Sequence, residues 1–296
     1  MHVNDLKIIW WNVNLSPPAS TARNRASEDQ KNKVVKIIES FMQQDYDYIC
    51  LSEVSMQDII YFEQKIHEHG YNYTNVIEHI GFNRYFDTCI IFKNHNEIIK
   101  VNGKDCFYDL YQWDNSMLKI GQIYQFIDLK LDDPLIFCVS HWPSLLQNNE
   151  SEINQISMKL RDWVIQYSNC YVILVGDYNQ EPYSNFIVEN LQASREKEYV
   201  INNPHILYNP CWKLMSINSD VKGTIKYTST RFRDWSVLDQ VMLSSSFLTN
   251  KWKFSDEHLT ILNDTDLDAM TQNSVSRNPS DHYPLSFKFI QVNEDA

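Results

Sequence analysis

Short apolar runs typical of strands alternate along this chain with segments in which apolar residues recur at helical spacing. Residues 171–175 form a short, β-branched apolar run that stops at a glycine, which is typical of a strand buried on both faces. Residues 6–11 and 46–52 carry similar runs, and 120–131 and 135–140 form an antiparallel-looking pair around a polar turn. These runs predict the strands of a sheet-based core.

Helical periodicity fills the spaces between these strands. Apolar residues recur at helical spacing over 150–168, and a second stripe follows Ser27, where Gln30 occupies the capping-box position. The chain after Pro182 is expected to be irregular until about Lys226, and Asp264, Asp266 and Asp268 are expected to lie in a solvated polar loop. Because no break in composition separates these segments, we expect one α/β domain over residues 1–296 with two packed sheets.

Composition supports a large folded core. The chain has 296 residues, of which 43% are apolar and 22% charged, with only 6 glycines and 9 prolines. No signal-like segment or membrane-length apolar run is present, so we expect a soluble, cytoplasmic protein without membrane insertion. The six cysteines form no close pair and mostly flank apolar runs, which predicts buried free thiols.

The net charge and its distribution along the chain indicate which substrates the protein can bind. The formal net charge of −12 disfavours broad, non-specific binding to a polyanion, although it leaves room for a local phosphate site that contains a divalent cation. Between Cys211 and Arg233, however, five basic residues face a single acidic one, and aromatic residues are interleaved. Arg231 and Arg233 are therefore candidates for contacting a phosphate-bearing substrate with a stackable base, although a solvated loop explains the stretch equally well.

Polar residues with catalytic chemistry recur where apolar strands end. Any one of them alone could be a turn or a cap, but as a set they indicate a shared site at the rim of the sheets. The set comprises Asn12, Glu53, His141, Asp177 with Asn179, Asp239, and Asp281 with His282.

The residue types in this set favour hydrolysis of a phosphate ester. Carboxylate and amide oxygens suit a hard cation such as Mg²⁺ or Mn²⁺ better than zinc. A histidine oriented by a carboxylate can act as an acid, a base or a phosphate clamp. The sequence has no motif typical of a covalent serine or cysteine nucleophile.

The segments that carry these residues resemble the endonuclease/exonuclease/phosphatase superfamily, which has the deoxyribonuclease I-like fold. The Gly-Asp-x-Asn and Ser-Asp-His pieces are the most specific. The resemblance implies a four-layer α/β/β/α sandwich of two mixed β-sheets flanked by helices, with the site at one rim. The matching pieces follow the family's order over nearly the whole chain: Trp11-Asn12, Leu51-Ser52-Glu53-Val54, Ser140-His141-Trp142-Pro143, Gly176-Asp177-Tyr178-Asn179-Gln180-Glu181-Pro182, Leu238-Asp239-Gln240 and Ser280-Asp281-His282-Tyr283-Pro284.

The resemblance also implies roles for the acidic and amide residues. Glu53 matches the main ligand of a Mg²⁺ or Mn²⁺ ion, with Asn12 beside it and Asp281 as a further ligand. Asp177 and Asn179 match the pair that orients or deprotonates the attacking water and holds the phosphate.

Two histidines complete the implied site. His282 is similar to the family's phosphate-contacting histidine, which is polarised by Asp239. His141 stands where deoxyribonucleases and deadenylases have a second histidine that acts on the phosphate or the leaving oxygen. Tyr85 and Asp87 resemble the tyrosine-x-acid element that supports this histidine in the deoxyribonucleases.

At two positions the chain departs from the motifs of particular branches of the family, which argues against the activities of those branches. Abasic-site endonucleases usually carry tyrosine at the position of His141 and lysine soon after the glutamate, where this chain has Val54 and Ser55. Inositol polyphosphate 5-phosphatases carry Cys-Asp-Arg near Asp239, where this chain has Leu-Asp-Gln. Deoxyribonuclease-like, deadenylase-like and sphingomyelinase-like activities remain.

The preferred hypothesis is a Mg²⁺-dependent phosphodiester hydrolase, a nuclease that acts on nucleic acid or nucleotides. The alternative is a phosphodiesterase or phosphatase of a lipid or small phosphate ester, which the acidic net charge favours. A catalytically silent interaction module is the third hypothesis, and loss of Glu53, Asp177 or His282 would have favoured it. All three residues are present.

Overall fold

The computed structural model describes most of the chain and all but three of the predicted site residues. The described ranges are 5–17, 26–76, 86–100, 104, 112–113, 116–131, 133–144, 149–215, 222–227 and 235–292. Within them, none of the helices is both long and apolar enough to cross a membrane.

The strands are β1 (Asp5–Asn12), β2 (Tyr48–Ser52), β3 (Tyr71–Tyr73), β4 (Thr88–Lys93), β5 (Glu97–Ile98), β6 (Gln112–Trp113), β7 (Ser116–Met117), β8 (Gln122–Ile127), β9 (Leu135–His141), β10 (Tyr171–Asp177), β11 (Ala193–Ser194), β12 (Leu207–Tyr208), β13 (Ile225–Lys226), β14 (Trp235–Ser236), β15 (Asp239–Leu243), β16 (Trp252–Phe254), β17 (Thr260–Ile261) and β18 (Leu285–Gln291). The α-helices are α1 (Glu28–Gln43), α2 (Met56–Glu68), α3 (Glu150–Gln166), α4 (Lys197–Asn202), α5 (Ser246–Thr249) and α6 (Asp264–Met270). A π-helical turn covers Phe186–Asn190, and 3₁₀ segments cover Pro210–Met215 and Asp256–His258.

These strands form two mixed sheets. In the first, the order is β16-β18-β1-β2-β4-β3, with β17 also paired to β18; in the second it is β11-β12-β15-β10-β9-β8-β5. Each sheet has a parallel pair at its centre, β1 with β2 and β9 with β10, while their outer neighbours run antiparallel. β6 pairs with β7 and β13 with β14 in two separate ribbons.

Alternating side chains place the two sheets back to back. Trp10, Tyr48 and Phe137 belong to the core between the sheets, while the neighbouring residue Ile9 packs with α1 and α2 on the outer face. Leu174 faces the opposite way and packs with the apolar stripe of α3. The predicted four-layer α/β/β/α sandwich is thereby confirmed, with helices on both outer faces.

Cysteines follow the predicted pattern where they are described. None of those within the described ranges forms a disulfide, and burial raises the pKa of Cys138 and of Cys211 to about 12. Thiols of this kind are inert core residues. Cys106 lies outside the described residues. The free cysteines are Cys50, Cys89, Cys138, Cys170 and Cys211.

Two local predictions differ from the structure. Ser27 caps α1 by accepting a hydrogen bond from the backbone of Gln30, but the Gln30 side chain donates to the carbonyls of Asn14 and Pro279 and does not close a capping box. The acidic segment predicted as solvated loop is instead the first turn of α6. Asn263 and Asp266 form a capping box there, because carboxylates stabilise the exposed amide groups of a helix amino terminus.

The segment between Pro182 and Lys226 was also predicted to be irregular, and this is wrong over most of its described length. It contains a π-helical turn, α4, the first 3₁₀ segment and the short strands β11 and β12, which extend the second sheet. These elements are too short to leave a periodic signal, since two residues per strand show no alternation.

Candidate active site

One edge of the sandwich collects all of the predicted site residues that are described. The parallel strands β1, β2, β9 and β10 end there, and the antiparallel strands β4, β15 and β18 begin there. Asp177, the last residue of β10, is paired in register with His141 on one side and with Asp239 on the other. The sheet itself therefore places three of the candidate side chains next to one another.

Gly176 permits the close strand packing beside Asp177. A Cβ atom at this position would lie 2.1 Å from the carbonyl oxygen of Ser140 on β9. Any other residue would push the two strands apart just before the ends that carry Asp177 and His141. The glycine of the Gly-Asp-x-Asn motif thus has a packing reason of its own.

Two histidine–aspartate pairs face Asp177 from opposite sides. His282 Nδ1 lies 2.7 Å from Asp239 Oδ2, and His141 Nδ1 lies 2.6 Å from Asp87 Oδ2. The other ring nitrogens converge: His282 Nε2 is 3.8 Å and His141 Nε2 is 3.9 Å from the same oxygen, Asp177 Oδ2. All five side chains are more than nine-tenths buried.

The electrostatics of these pairs favour protonated imidazoles. Burial opposes the charge on His282, but Asp239 and Asp177 outweigh it and raise the pKa of His282 to about 10. Burial likewise opposes the charge on His141, and Asp87 reverses the effect so that its pKa is also raised. Each Nε2–H is therefore a charged donor aimed at the centre of the site.

The negative charge of the buried Asp87 carboxylate is compensated by His141 and Lys119. Burial alone would raise its pKa, yet the charges and hydrogen bonds of His141 and Lys119 hold the pKa of Asp87 well below its usual range. Lys119 Nζ lies 2.5 Å from Asp87 Oδ1, and both side chains are buried. Lysine, aspartate and histidine thus form a continuous buried chain that ends at Asp177.

Glu53 and Asn12 adjoin the centre of the site on the first sheet. Glu53 follows β2 with a left-handed backbone (φ 55°), and its Oε1 accepts from Asn12 Nδ2 at 3.1 Å. The same amide nitrogen lies 3.2 Å from Asp177 Oδ2, while Glu53 Oε1 is 3.9 Å from His141 Nε2. Burial raises the pKa of Glu53, with a further contribution from Asp87.

The pKa of Asp177 is raised, as is that of Glu53. Burial and the nearby charge of Asp239 raise its pKa, although both histidines act in the opposite direction. The ionised forms of Glu53 and Asp177 are therefore disfavoured chiefly by burial, and a bound cation would stabilise them.

The remaining predicted residues lie at the margin of this centre. Asn179, also left-handed at φ 51°, donates its backbone N–H to Asp177 Oδ1 and its side-chain amide to the carbonyl of Trp142. Asp281 is exposed and accepts from the Asn14 amide, whose backbone in turn donates to Asn12 Oδ1. Tyr85, Arg231 and Arg233 lie outside the described residues.

The family of the chain follows from a comparison with models of known protein families. A model of the endonuclease/exonuclease/phosphatase family matches residues 17–284. The chain belongs to this family. A comparison of the sequence with curated proteins found no match.

Solved structures of other proteins share the family fold with this chain at low sequence identity. They include the human Nocturnin catalytic domain with bound sulfate (15% identity, 98% of each chain covered, TM-score 0.64). D. rerio TDP2 complexed with a single strand DNA product matches at 16% identity, with 97% of this chain and 99% of that chain covered and a TM-score of 0.58. The Bacteroides thetaiotaomicron mannosyl-6-phosphatase Bt3783 matches at 16% identity over 96% and 99% of the two chains, with a TM-score of 0.62.

Members of this family are phosphoester hydrolases that generally depend on divalent metal ions, and the donor set here fits such an ion. By spacing alone, Asp177, Asp239 and His282 form a possible ligand group, with one donor atom of each within 4.8 Å of the others. Both Asp239 oxygens already accept hydrogen bonds, however, from Trp10 Nε1 at 2.7 Å and from His282. Glu53 is better placed to bind a hard cation, because the amide of Asn12 lies beside it, and burial together with the charge of Asp87 raises the pKa of its carboxylate.

Several residues that support the family site were missed by the sequence analysis. Ser280 Oγ donates to the carbonyl of Asn12 and accepts from the backbone of His282, which ties the end of β1 to the start of the last strand. Trp10 crosses from the first sheet to bind Asp239 on the second. Ser280 could have been found from the Ser-Asp-His motif, but no motif indicates a role for Lys119, and Trp10 lies in an ordinary apolar run.

Proposed function

We propose that this chain is a Mg²⁺- or Mn²⁺-dependent phosphodiester hydrolase that acts on nucleic acid or nucleotides. The observation that carries the proposal is the convergence of two imidazole Nε2 atoms on one oxygen of Asp177, at 3.8 and 3.9 Å. Membership of a phosphoester hydrolase family supports the class of reaction.

Asp177 is the group that orients and deprotonates the attacking water. Its carboxylate is held by the backbone N–H of Asn179 and the amide of Asn12, so that its position is fixed before substrate binds. Burial raises its pKa and thereby makes it a stronger base than an exposed aspartate. Asn179 positions this carboxylate and contributes to the phosphate site.

The two histidines bind the phosphate and stabilise the charge that develops on it. Asp239 and Asp87 occupy the Nδ1 atoms, which orients each ring and keeps a proton on Nε2. His282 donates to a non-bridging oxygen, and His141 donates to the phosphate or protonates the leaving oxygen. Stabilisation by fixed donors in a buried site is the largest catalytic effect that this geometry offers.

Glu53 would hold the metal ion, with Asn12 beside it and Asp281 as a further ligand from the rim. When bound, a Mg²⁺ or Mn²⁺ ion supplies Lewis-acid stabilisation of the phosphate. Its positive charge would also stabilise the ionised forms of Glu53 and Asp177, whose pKa values are raised by burial and, to a smaller extent, by Asp87 and Asp239.

The substrate class rests on structural neighbours and on local chemistry. D. rerio TDP2 has been solved with a single strand DNA product, which supports nucleic acid. A lipid or small phosphate ester is the second candidate, because the net charge is −12 and a mannosyl-6-phosphatase has the same fold.

A substrate panel tests the proposal. The full chain is assayed with Mg²⁺ or with EDTA on single-stranded DNA, RNA, sphingomyelin and inositol phosphates. We expect metal-dependent cleavage of DNA or RNA, and a loss of at least about 10²-fold in Asp177→Asn and His282→Ala. The exposed Asp162→Asn and His205→Ala variants are matched controls that should retain full activity.

Two results would contradict the proposal. Full activity in either site variant would exclude the assigned roles, and cleavage of sphingomyelin or inositol phosphates without cleavage of nucleic acid would exclude the substrate class.

A further inference from the structure

A cavity of about 340 Å³ adjoins the candidate active site, and none of the roles above uses it. Its lining includes Glu181, Tyr183, Met215, Lys222 and Trp235. This volume is at the lower end of the range for small-ligand sites, roughly 300–1,000 Å³, which suits one nucleoside better than a long chain.

The walls of the cavity are connected directly to the catalytic strands. One wall is the segment that leaves Asp177, and the other is the segment that enters Asp239. Two hydrogen bonds join these segments: Tyr178 N–H to the Leu238 carbonyl at 2.9 Å, and Val237 N–H to a Glu181 carboxylate oxygen at 3.1 Å. The lining residues Glu181, Trp235, Ser236 and Val237 therefore lie within four positions of Asp177 or Asp239.

Trp235 lines the cavity and packs against neighbouring side chains. Its ring lies 5.7 Å from the ring of Tyr283, the residue that follows His282, at an interplanar angle of 40°. The ammonium of Lys226 lies 5.5 Å from the Trp235 ring centroid. The β13–β14 ribbon that carries Trp235 is fastened to the site by a bridge between Ile225 and His282.

Tyr183 forms another part of the lining and is supported in a similar way. Its ring packs edge-on against Trp212, with centroids 6.4 Å apart, and the Arg195 guanidinium covers the Trp212 ring at 4.9 Å. Tyr183 itself is 53% exposed, so a ligand can reach it. Because neighbouring rings already support both aromatic side chains, little conformational entropy would be lost when a ligand binds.

The chemistry of the lining selects among phosphate-bearing ligands. Two aromatic side chains and a thioether accept a flat heteroaromatic ring, while the Lys222 ammonium and the Glu181 carboxylate can contact polar groups on it. An acyl chain has no polar group that could contact the Lys222 ammonium.

We propose that this cavity is a nucleoside subsite, which binds the base of the nucleotide next to the scissile phosphate. This inference deepens the proposed function and rests on it for the position of the phosphate. It makes Trp235 and Tyr183 specificity-determining residues that select nucleotides over sugar and lipid phosphates.

Binding of AMP and of ribose 5-phosphate, which differ only in the base, tests the subsite. Dissociation constants are measured by equilibrium dialysis with the full chain and Mg²⁺. Since stacking on an aromatic side chain contributes about 1–3 kcal/mol per base, AMP should bind about 5- to 150-fold more tightly than ribose 5-phosphate. Trp235→Ala should remove most of this preference and leave the affinity for ribose 5-phosphate unchanged.

Two further variants distinguish loss of the subsite from a general loss of folding. Trp235→Phe preserves a ring and should keep most of the preference, which a general loss of folding would not allow. Tyr61→Ala, which removes an exposed ring on α2, should behave as the wild type.

The outcomes separate the subsite from the reaction. Equal affinity for AMP and ribose 5-phosphate, or an undiminished preference in Trp235→Ala, would overturn the subsite. Tryptophan-dependent binding of phosphocholine as tight as that of AMP would overturn it in favour of a choline-phosphate ligand. Hydrolysis of bis(p-nitrophenyl) phosphate, which has no base, is measured in the same preparation. If hydrolysis occurs without a preference for AMP, only the subsite is wrong; if the preference occurs without hydrolysis, only the reaction is wrong.

Discussion

Lys119 provides the sharpest test of how the candidate site is held together. The change is Lys119→Met, which keeps much of the side chain's length and removes its charge. Lys119 and Asp87 are 8% and 2% exposed, and their charged atoms are in direct contact. The substitution therefore leaves the Asp87 carboxylate buried, with His141 as its remaining charged partner among the contacts described above.

The structure sets the size of the expected effect. Removing one member of a buried ion pair costs about 3–5 kcal/mol, because the other charge stays buried without its partner. Lys33 provides a matched comparison, since it pairs with Asp29 on the surface of α1, where the two side chains are 41% and 74% exposed. Lys33→Met should cost no more than about 0.5 kcal/mol.

A double-mutant cycle measures the coupling itself. The free energy of unfolding is determined in urea for Lys119→Met, Asp87→Asn and the double variant. We expect the double variant to lose about 0.5–3 kcal/mol less than the sum of the single losses, since it leaves neither charge uncompensated. Strict additivity, or a cost for Lys119→Met as small as that for Lys33→Met, would refute the inference that Lys119 and Asp87 act as one buried unit.

Three other substitutions test separate parts of the structure. Gly176→Ala should lower the unfolding free energy by at least about 1–3 kcal/mol and displace Asp177, because its Cβ would meet the Ser140 carbonyl at 2.1 Å. Gly70→Ala is the control for thermal melting. A Cβ atom at Gly70 would meet no other atom within 4 Å, and only the left-handed φ of 78° disfavours alanine there, so this change should lower the unfolding free energy by about 1 kcal/mol. Equal melting temperatures for the two variants would contradict the packing argument. Asp58 is buried, but hydrogen bonds from serines lower its pKa below 3.8, so its contribution to stability is present above that pH and is lost as the pH falls through the lowered value. The difference in urea midpoint between the wild type and Asp58→Asn should therefore shrink between pH 6 and pH 3, and a difference that stayed constant would argue against a charged Asp58. Glu53→Gln should weaken Mn²⁺ binding, measured by calorimetry, at least about 10-fold, and unchanged affinity would remove Glu53 from the metal site.

The sequence alone determined which residues carry the chemistry and roughly where each lies on its strand. Alternation and β-branching reveal a buried strand because the side-chain period is a local property of the backbone. Asn12, Glu53, His141 and Asp177 could therefore be assigned to strand ends. Parallel pairing brings them together two by two, and the packing of the two sheets then brings the two pairs to one edge. The motifs then indicated the family, and through it the four-layer architecture.

Only the tertiary structure decided how the other half of the site is built. Asp239 begins β15 and His282 precedes β18, as the sequence predicted for His282, and both reach the same edge because of the direction in which β15 and β18 pair. Strand direction depends on contacts between residues far apart in the chain, and no local pattern records it. Lys119 could not be predicted for the same reason, because no local motif marks it and it becomes a buried partner of Asp87 only in the folded structure.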